Sequence, residues 1–401
     1  MKIFSILIGL ALVMSSSAQA DVWQTTRSWT PAWEKEYRDW VEAEWDRNFF
    51  TKPGPWKDLK LDCADAVYSM RMAFAAKNGL PFAMKDPTGG GGIISNSMNR
   101  FDEYSSSERL RRFAIYIFGL ASTSSLPNDT YPAAVNRKAI NAGSIILTDA
   151  RNHHSWTIKS LSEHGIPFLL FASRPAHTVL YERNEYPTRD FIFVDGLRPE
   201  RHAGFRNFRH PEDLLSNVWD VPGASYDQYK LPWSRWSRHV QKELQLSEET
   251  ATGKLSRLMG DACREAKDRV QIVKNGVRAV RNAGGSCLSR AEYDDHSTPS
   301  RDSRMKDAFD KVFSAYKAAV ESGERMSAEL KASAESVVKA RSPNGSPYCP
   351  VEIGSGIVLT LGEIAARTRA GYLSNNPHDS LDARWGLEEF PGWLASQCPE
   401  Y

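Results

Sequence analysis

The chain has 401 residues, 41% of them hydrophobic and 25% charged, and its formal net charge is +2 at pH 7. This composition is typical of a globular protein with a substantial core, and the length favours two domains. A net charge so close to zero, with no basic tail, argues against nucleic acid as a partner.

The N-terminus has the pattern of a signal peptide. Lys2 precedes an apolar run over residues 3–14, and Ala18-Gln19-Ala20 has the small-x-small pattern of a signal-peptidase site. An apolar run of about a dozen residues is short for a membrane span. We therefore expect residues 1–20 to be removed, leaving an exported, periplasmic or secreted protein without a stable membrane anchor.

Two helices are predicted next. Thr30-Pro31 is typical of a helix start, and the aromatic residues Trp33, Tyr37 and Trp40 then recur at helical spacing. Such a stripe can line a sugar-binding groove, but packing against the core is the commoner role and the one expected here. A second helix is predicted over residues 63–77, ended by Asn78-Gly79.

Loops and a third helix follow. Residues 86–108 have loop composition and contain four consecutive glycines, which favour a hinge or a lid, since no Lys-Ser or Lys-Thr of a phosphate loop follows them. Residues 109–120 are predicted to be helical and residues 121–142 to be a loop.

The hydrophobic pattern then changes from helical to alternating. Short runs rich in β-branched and aromatic residues predict an antiparallel sheet over residues 144–148, 155–161, 167–172, 178–181, 191–195 and 204–209. From about residue 248 two long amphipathic stripes predict an antiparallel helical hairpin. Residues 342–401 are expected to be irregular and held by cysteines.

Five cysteines divide unequally along the chain. Four lie in the C-terminal part and can form two disulfides in any of three pairings: Cys263, Cys287, Cys349 and Cys398. Cys63 stands alone, far from the others. Neither the CxxC nor the CxxxC spacing of a structural zinc site occurs, so no metal is expected.

Cys63 is the candidate nucleophile. It begins the second predicted helix, where unpaired N–H groups favour negative charge and therefore lower the pKa of a thiol. A histidine base can pair with the thiolate. His153 and His154 open the strand over residues 155–161, and because neighbours on a strand point to opposite faces, only one of them can face Cys63. We expect His154 to be the base, with His153 as its rival.

These residues together resemble the NlpC-type cell-wall peptidases. The matching segments are Asp62-Cys63-Ala64-Asp65, Gly143-Ser144-Ile145-Ile146 and His154-Ser155-Trp156-Thr157-Ile158. The resemblance spans about residues 50–212, with residues 86–142 as an insertion near the cleft. It implies a papain-like fold, an amide or peptide bond of peptidoglycan as substrate, and no cofactor.

Members of that family also carry a polar residue that orients the histidine. The corresponding stretch here, residues 168–172, is apolar. Asp195 is the best substitute, since a carboxylate can fix the tautomer of an imidazole, although a turn-forming Asp-Gly explains the residue as well. Transglutaminase-like enzymes, which share the His-x-Trp motif of His154-Ser155-Trp156, are the second resemblance.

The sequence therefore predicts an α+β protein. A papain-like cysteine hydrolase domain is expected over residues 21–240, with the helix bearing Cys63 packed on an antiparallel sheet. A helical, disulfide-braced domain is expected over residues 241–401. The predicted catalytic residues are Cys63, His154 and Asp195. Two alternatives remain: an acyl transferase of the transglutaminase type, and a non-catalytic envelope protein that keeps the fold for binding.

Overall fold

The computed structural model describes residues 21–149, 152–174, 176–187, 192–193, 203–232, 235–340, 348–388, 395 and 397–401. Helices and strands both contribute, as the sequence predicts. The helices, in chain order from α1 to α12, are Pro31–Glu44, Cys63–Asn78, Ser106–Leu120, Leu126–Asp129, Asp227–Lys230, Trp236–Leu244, Ala251–Asn282, Arg290–His296, Pro299–Glu321, Ala328–Val338, Leu361–Ala370 and Leu381–Arg384. The strands, from β1 to β10, are Ala83–Lys85, Ile93–Ser95, Thr130–Pro132, Ile145–Leu147, Ser155–Leu161, Pro167–Phe171, Tyr181–Arg183, Gly204–Phe208, Val351–Gly354 and Ile357–Leu359.

The main sheet is antiparallel throughout, with the strand order β3-β8-β4-β5-β6-β7. One face carries Ile145, Leu147 and Leu170 and packs in the same hydrophobic cluster as α1, α2 and α3. The other face carries Ile146 and Trp156, which belong to a separate cluster that α6 completes. The sheet thus lies between two layers, as its alternating pattern requires.

Helix α2 is the central element of the first layer. Every residue from Ala64 to Ala75 is buried, because the sheet covers one side and α1 and α3 cover others. The aromatic residues of α1 pack inward as expected, with Tyr37 buried and Trp40 against the cluster.

Helices α7 and α9 form the predicted antiparallel pair. The Glu324 carboxylate, just beyond α9, accepts hydrogen bonds from the N–H groups of Ala251 and Thr252 at the start of α7, at 3.0 and 2.8 Å. The buried faces of these two helices form a third hydrophobic cluster, whose first residue in the chain is Leu255. Disulfides Cys263–Cys349 and Cys287–Cys398 brace this unit, and Cys63 is free. Both disulfides agree with the predicted division of the cysteines.

Several segments differ from prediction, among them the strand expected over residues 178–181, which forms as Tyr181–Arg183. The glycine-rich loop is the turn of a hairpin in which β1 pairs with β2, and residues 130–132 form the edge strand β3. The expected irregular tail contains the β9–β10 hairpin and α11, whose capping box joins Thr360 and Glu363. Thr-x-x-Glu before an apolar run is a helix-start signature that the sequence did display. The strand predicted over residues 191–195 lies largely outside the described residues.

Polar contacts join the helical unit to the part of the chain that precedes it. Arg47 pairs with the buried Asp268 of α7 at 2.8 Å, and Lys311 of α9 pairs with Glu185, which follows β7, at 2.7 Å. The two parts therefore face each other across charged side chains. Within the part of the chain that the structure describes, no helix combines the length and apolar character needed to cross a bilayer.

Candidate active site

Helix α2 begins at a capping box. The Asp62 carboxylate accepts the N–H groups of Ala64 and Asp65, and the Asp65 carboxylate accepts the N–H of Asp62 at 2.9 Å. The two aspartates thereby satisfy N–H groups that a helix start leaves unpaired. Cys63 occupies the first position of the helix, so its place is fixed by Asp62 and Asp65. Both aspartates belong to the segment on which the sequence resemblance depends.

The thiol of Cys63 makes two polar contacts with residues that the structure describes. Its Sγ lies 3.1 Å from the hydroxyl Oγ1 of Thr123 and donates to the carbonyl oxygen of His153 at 3.5 Å. The main chain is held as well, since the Ser155 hydroxyl donates to the carbonyl oxygen of Cys63 at 3.0 Å. The cysteine therefore sits against the start of β5, as predicted.

The surroundings raise the pKa of the Cys63 thiol, contrary to the effect expected from a helix start. Burial is the main cause, and the charges of Asp62 and Asp65 act in the same direction. The Thr123 hydroxyl and the Ala64 N–H lower the pKa, but by less. In this geometry the thiol keeps its proton at neutral pH, so a reaction at Cys63 needs a base.

His154 lies on the opposite face of the sheet from α2. Trp156 pairs across the strands with Ile146, on the far face, and the His154 ring packs edge-on against Trp156 with 4.4 Å between centroids. The His154 ring also packs against the ring of Phe171, which belongs to the same cluster, with 5.5 Å between the centroids. Burial, with the positive charges of Arg183 and Arg304, lowers the pKa of His154 to about 3.

His153 lies on the side of Cys63. Its imidazole Nδ1 is 3.3 Å from the hydroxyl of Ser124, the neighbour of Thr123, and its carbonyl oxygen accepts from the thiol. The backbone of His153 has φ +44°, a left-handed conformation that is uncommon and costly for a residue other than glycine. The main chain of His153 therefore contacts the Cys63 thiol directly, whereas the sequence analysis preferred His154 as the base.

One glycine of the matched segments has a clear structural reason. Gly143, before β4, has φ +86°, and a Cβ there would lie 2.6 Å from the ring of Tyr37. Only glycine can adopt this backbone so close to α1.

A cavity of about 990 Å³ lies beside Cys63 and the two histidines. Cys63, Thr123, His153 and His154 all line it. Its opposite wall comes from the helical unit, including Glu265 of α7 and Arg304 of α9. The C-terminal helices are therefore part of the site, a role that the sequence did not suggest.

Two sequence-based expectations concern the residue that orients the histidine. Asp195 lies outside the described residues. The apolar stretch that replaces the family's polar residue is strand β6, where Leu169 and Phe171 pack in the far-face cluster and Leu170 in the cluster of α2. Thr123 and Ser124 were missed, because the sequence predicts only a loop there and gives no signal that it reaches Cys63.

Among the residues that the structure describes, no three His, Cys, Asp or Glu side chains are grouped as metal ligands. Comparisons of the chain with protein-family models, curated proteins and solved structures give no match.

Proposed function

We propose that the protein is an exported cysteine hydrolase that cleaves a peptide or amide bond, with Cys63 as its nucleophile. The observation that carries the proposal is the position of Cys63, a free thiol at the first residue of a central helix, in a cavity that two histidines also line. A thiol so placed, against the start of a sheet strand, supports the papain-like arrangement that the sequence resemblance implies.

The reaction follows the usual course of thiol catalysis. Sγ of Cys63 attacks the carbonyl carbon while its proton passes to an imidazole. The contact between the Cys63 thiol and the His153 carbonyl oxygen supports His153 as that base. The Cys63 N–H, at the start of α2, is placed to donate to the oxyanion. When the intermediate collapses, the imidazolium protonates the leaving amine, and water then hydrolyses the thioester with the imidazole as base.

By resemblance, the substrate is an amide or peptide bond of the bacterial cell wall. Two disulfides, typical of exported proteins, support a location outside the cytoplasm. The test is digestion of purified peptidoglycan sacculi and of unstructured polypeptide by the wild type and by Cys63→Ala, with new amino termini measured by mass spectrometry. Products that appear with the wild type alone support the proposal, and products released equally by Cys63→Ala contradict it.

A second candidate is a non-catalytic binding protein. The raised pKa of the Cys63 thiol favours it, because a thiol that keeps its proton is a weak nucleophile. This candidate predicts that Cys63→Ala leaves every measurable function of the cavity intact.

A further inference from the structure

A second cavity of about 670 Å³ continues the first one away from Cys63. The two share Glu185, Tyr186, Leu258, Asp307 and Lys311 among their lining residues, so they adjoin there, and we call the two together the cleft. The second part runs between α6 and the later half of α9, where Arg238, Gln241 and Ser314 line it. The cleft therefore extends well beyond the space that a reaction at Cys63 requires.

One face of α9 lines the cleft along most of the helix. Its lining residues recur every three or four positions, through Ser300, Arg304, Asp307, Lys311, Ser314 and Ala318. At a rise of about 1.5 Å per residue, the distance from Ser300 to Ala318 is about 27 Å. An extended chain of about eight residues spans such a length. Helix α7 contributes a parallel stripe that includes Lys254, Leu258 and Asp261.

The cleft carries charges of both signs. Arg304 and Lys311 stand among Asp307 and Asp310 on α9, and Glu185 faces them from the sheet. Among the described residues, eight carboxylates line the two cavities and would oppose an anionic polymer, and the charged groups of both signs among the apolar side chains would oppose a lipid chain. A polypeptide, which carries hydrogen-bonding groups at every residue and charges of both signs, fits these walls.

An ion pair lies where the two cavities adjoin. Lys311 Nζ lies 2.7 Å from both carboxylate oxygens of Glu185, joining α9 to the segment after β7 where the two cavities meet. Both side chains are partly exposed, at 44% and 22%. A chain that crosses this point passes beside the pair and can exchange hydrogen bonds with either member.

We infer that the cleft binds an extended peptide chain of about eight residues along α9, so that the C-terminal helical unit selects long peptide substrates for Cys63. This inference rests on the proposed function, which supplies the reaction at one end of the cleft. It assigns a role to a unit that lies outside the family resemblance.

The test compares long and short probes in the full-length protein. A pool of randomised decapeptides capped with an iodoacetyl group is reacted with Cys63, alongside an iodoacetyl dipeptide pool, and both rates are divided by the rate with iodoacetamide. Ser314→Trp and Ala318→Trp fill the distal part of the cleft. Lys317→Trp is the matched control, since Lys317 is an exposed neighbour on α9 that lines neither cavity.

We expect the decapeptides to label Cys63 at least tenfold faster than the dipeptides. We expect this ratio to fall close to one in both distal variants and to persist in Lys317→Trp. Equal rates in the wild type, or a ratio that neither distal variant changes, would overturn the inference.

A binding measurement separates the cleft from the nucleophile. Fluorescence anisotropy of a labelled decapeptide pool on Cys63→Ala reports peptide binding without the thiol. Peptide binding that is weakened at least fivefold by Ala318→Trp, but not by Lys317→Trp, supports the proposed cleft. It does so even where iodoacetamide fails to label Cys63 and the proposed nucleophile is lost. Absence of peptide binding to Cys63→Ala overturns the inference about the cleft. The role of Cys63 as nucleophile is then tested separately, by its own experiment.

Discussion

The Sγ of Cys63 lies 3.5 Å from the carbonyl oxygen of His153, whereas the ring of the next residue, His154, packs on the far face of the sheet. The two histidines can therefore be distinguished by substitution. With p-nitrophenyl acetate as acyl donor at pH 7, we expect His153→Gln to slow acylation by about 10²–10⁴-fold, the usual loss for a general base. We expect less than a tenfold loss in His154→Gln, its matched control.

The opposite ranking would restore His154 as the base. It would require the His154 ring to leave Trp156 and Phe171 during the reaction. Its pKa of about 3 means that His154 is neutral at pH 7, but also that it is a weak acceptor of a proton.

Thr123 is expected to tune the thiol. Its hydroxyl, 3.1 Å from Sγ, lowers the pKa of Cys63 and partly offsets the effect of burial. Thr123→Val removes this hydrogen bond, so the pKa should rise further. The rate of alkylation by iodoacetamide as a function of pH measures it, and the midpoint should move upward in Thr123→Val and stay in place in Thr123→Ser. A downward shift would contradict the assigned contact.

Much of the structure around Cys63 follows from local sequence signals. Thr30-Pro31, the Asp62–Asp65 box and Gly79 are local signals that fix where α1 and α2 begin or end. The alternation in residues 155–161 gave β5 its bounds. Such elements depend on residues within a few positions, which is why their bounds could be predicted.

Contacts between distant segments could not be predicted. The face on which His154 lies depends on the turn before β5, where His153 takes a left-handed backbone. Thr123 reaches Cys63 from a loop 60 residues away. The wall supplied by α7 and α9 depends on ion pairs such as Arg47–Asp268, between residues 221 positions apart. Nothing local in the sequence specifies any of these.

Glu34 should stabilise the fold in a pH-dependent way. Burial raises its pKa, but the charge and hydrogen bonds of Arg71, with the hydrogen bond of His210, outweigh this and lower the pKa to about 2. A carboxyl group whose pKa is lower in the folded state stabilises that state above its unfolded pKa and loses this effect as the pH falls towards the folded value.

The corresponding variant is Glu34→Gln. The free energy of unfolding of this variant at pH 7 should be lower than that of the wild type by about 3 kcal/mol, which is the stabilisation that the lowered pKa of Glu34 corresponds to. The difference should shrink as the pH falls from about 4.5 towards 2, in urea unfolding followed by tryptophan fluorescence. A difference that does not change with pH would show that the pair contributes through packing alone.

The disulfide Cys263–Cys349 should stabilise the helical unit. It closes a long loop, over a sequence separation of 86, between α7 and the segment before β9. Replacing both cysteines by serine is expected to cost about 2–5 kcal/mol of unfolding free energy in that unit. Denaturant unfolding followed by circular dichroism measures it, with Cys63→Ser as the control that keeps both disulfides. A loss below about 1 kcal/mol would mean that the apolar cluster holds the unit without this bridge.

The most direct test of Cys63 as a nucleophile is a burst experiment with p-nitrophenyl acetate on the native protein. The account predicts rapid release of close to one equivalent of nitrophenolate per chain, an acetyl group mapped to Cys63 by mass spectrometry after acid quenching, and neither in Cys63→Ala. Absence of the burst, or the same burst and acetylation pattern in Cys63→Ala, would contradict it.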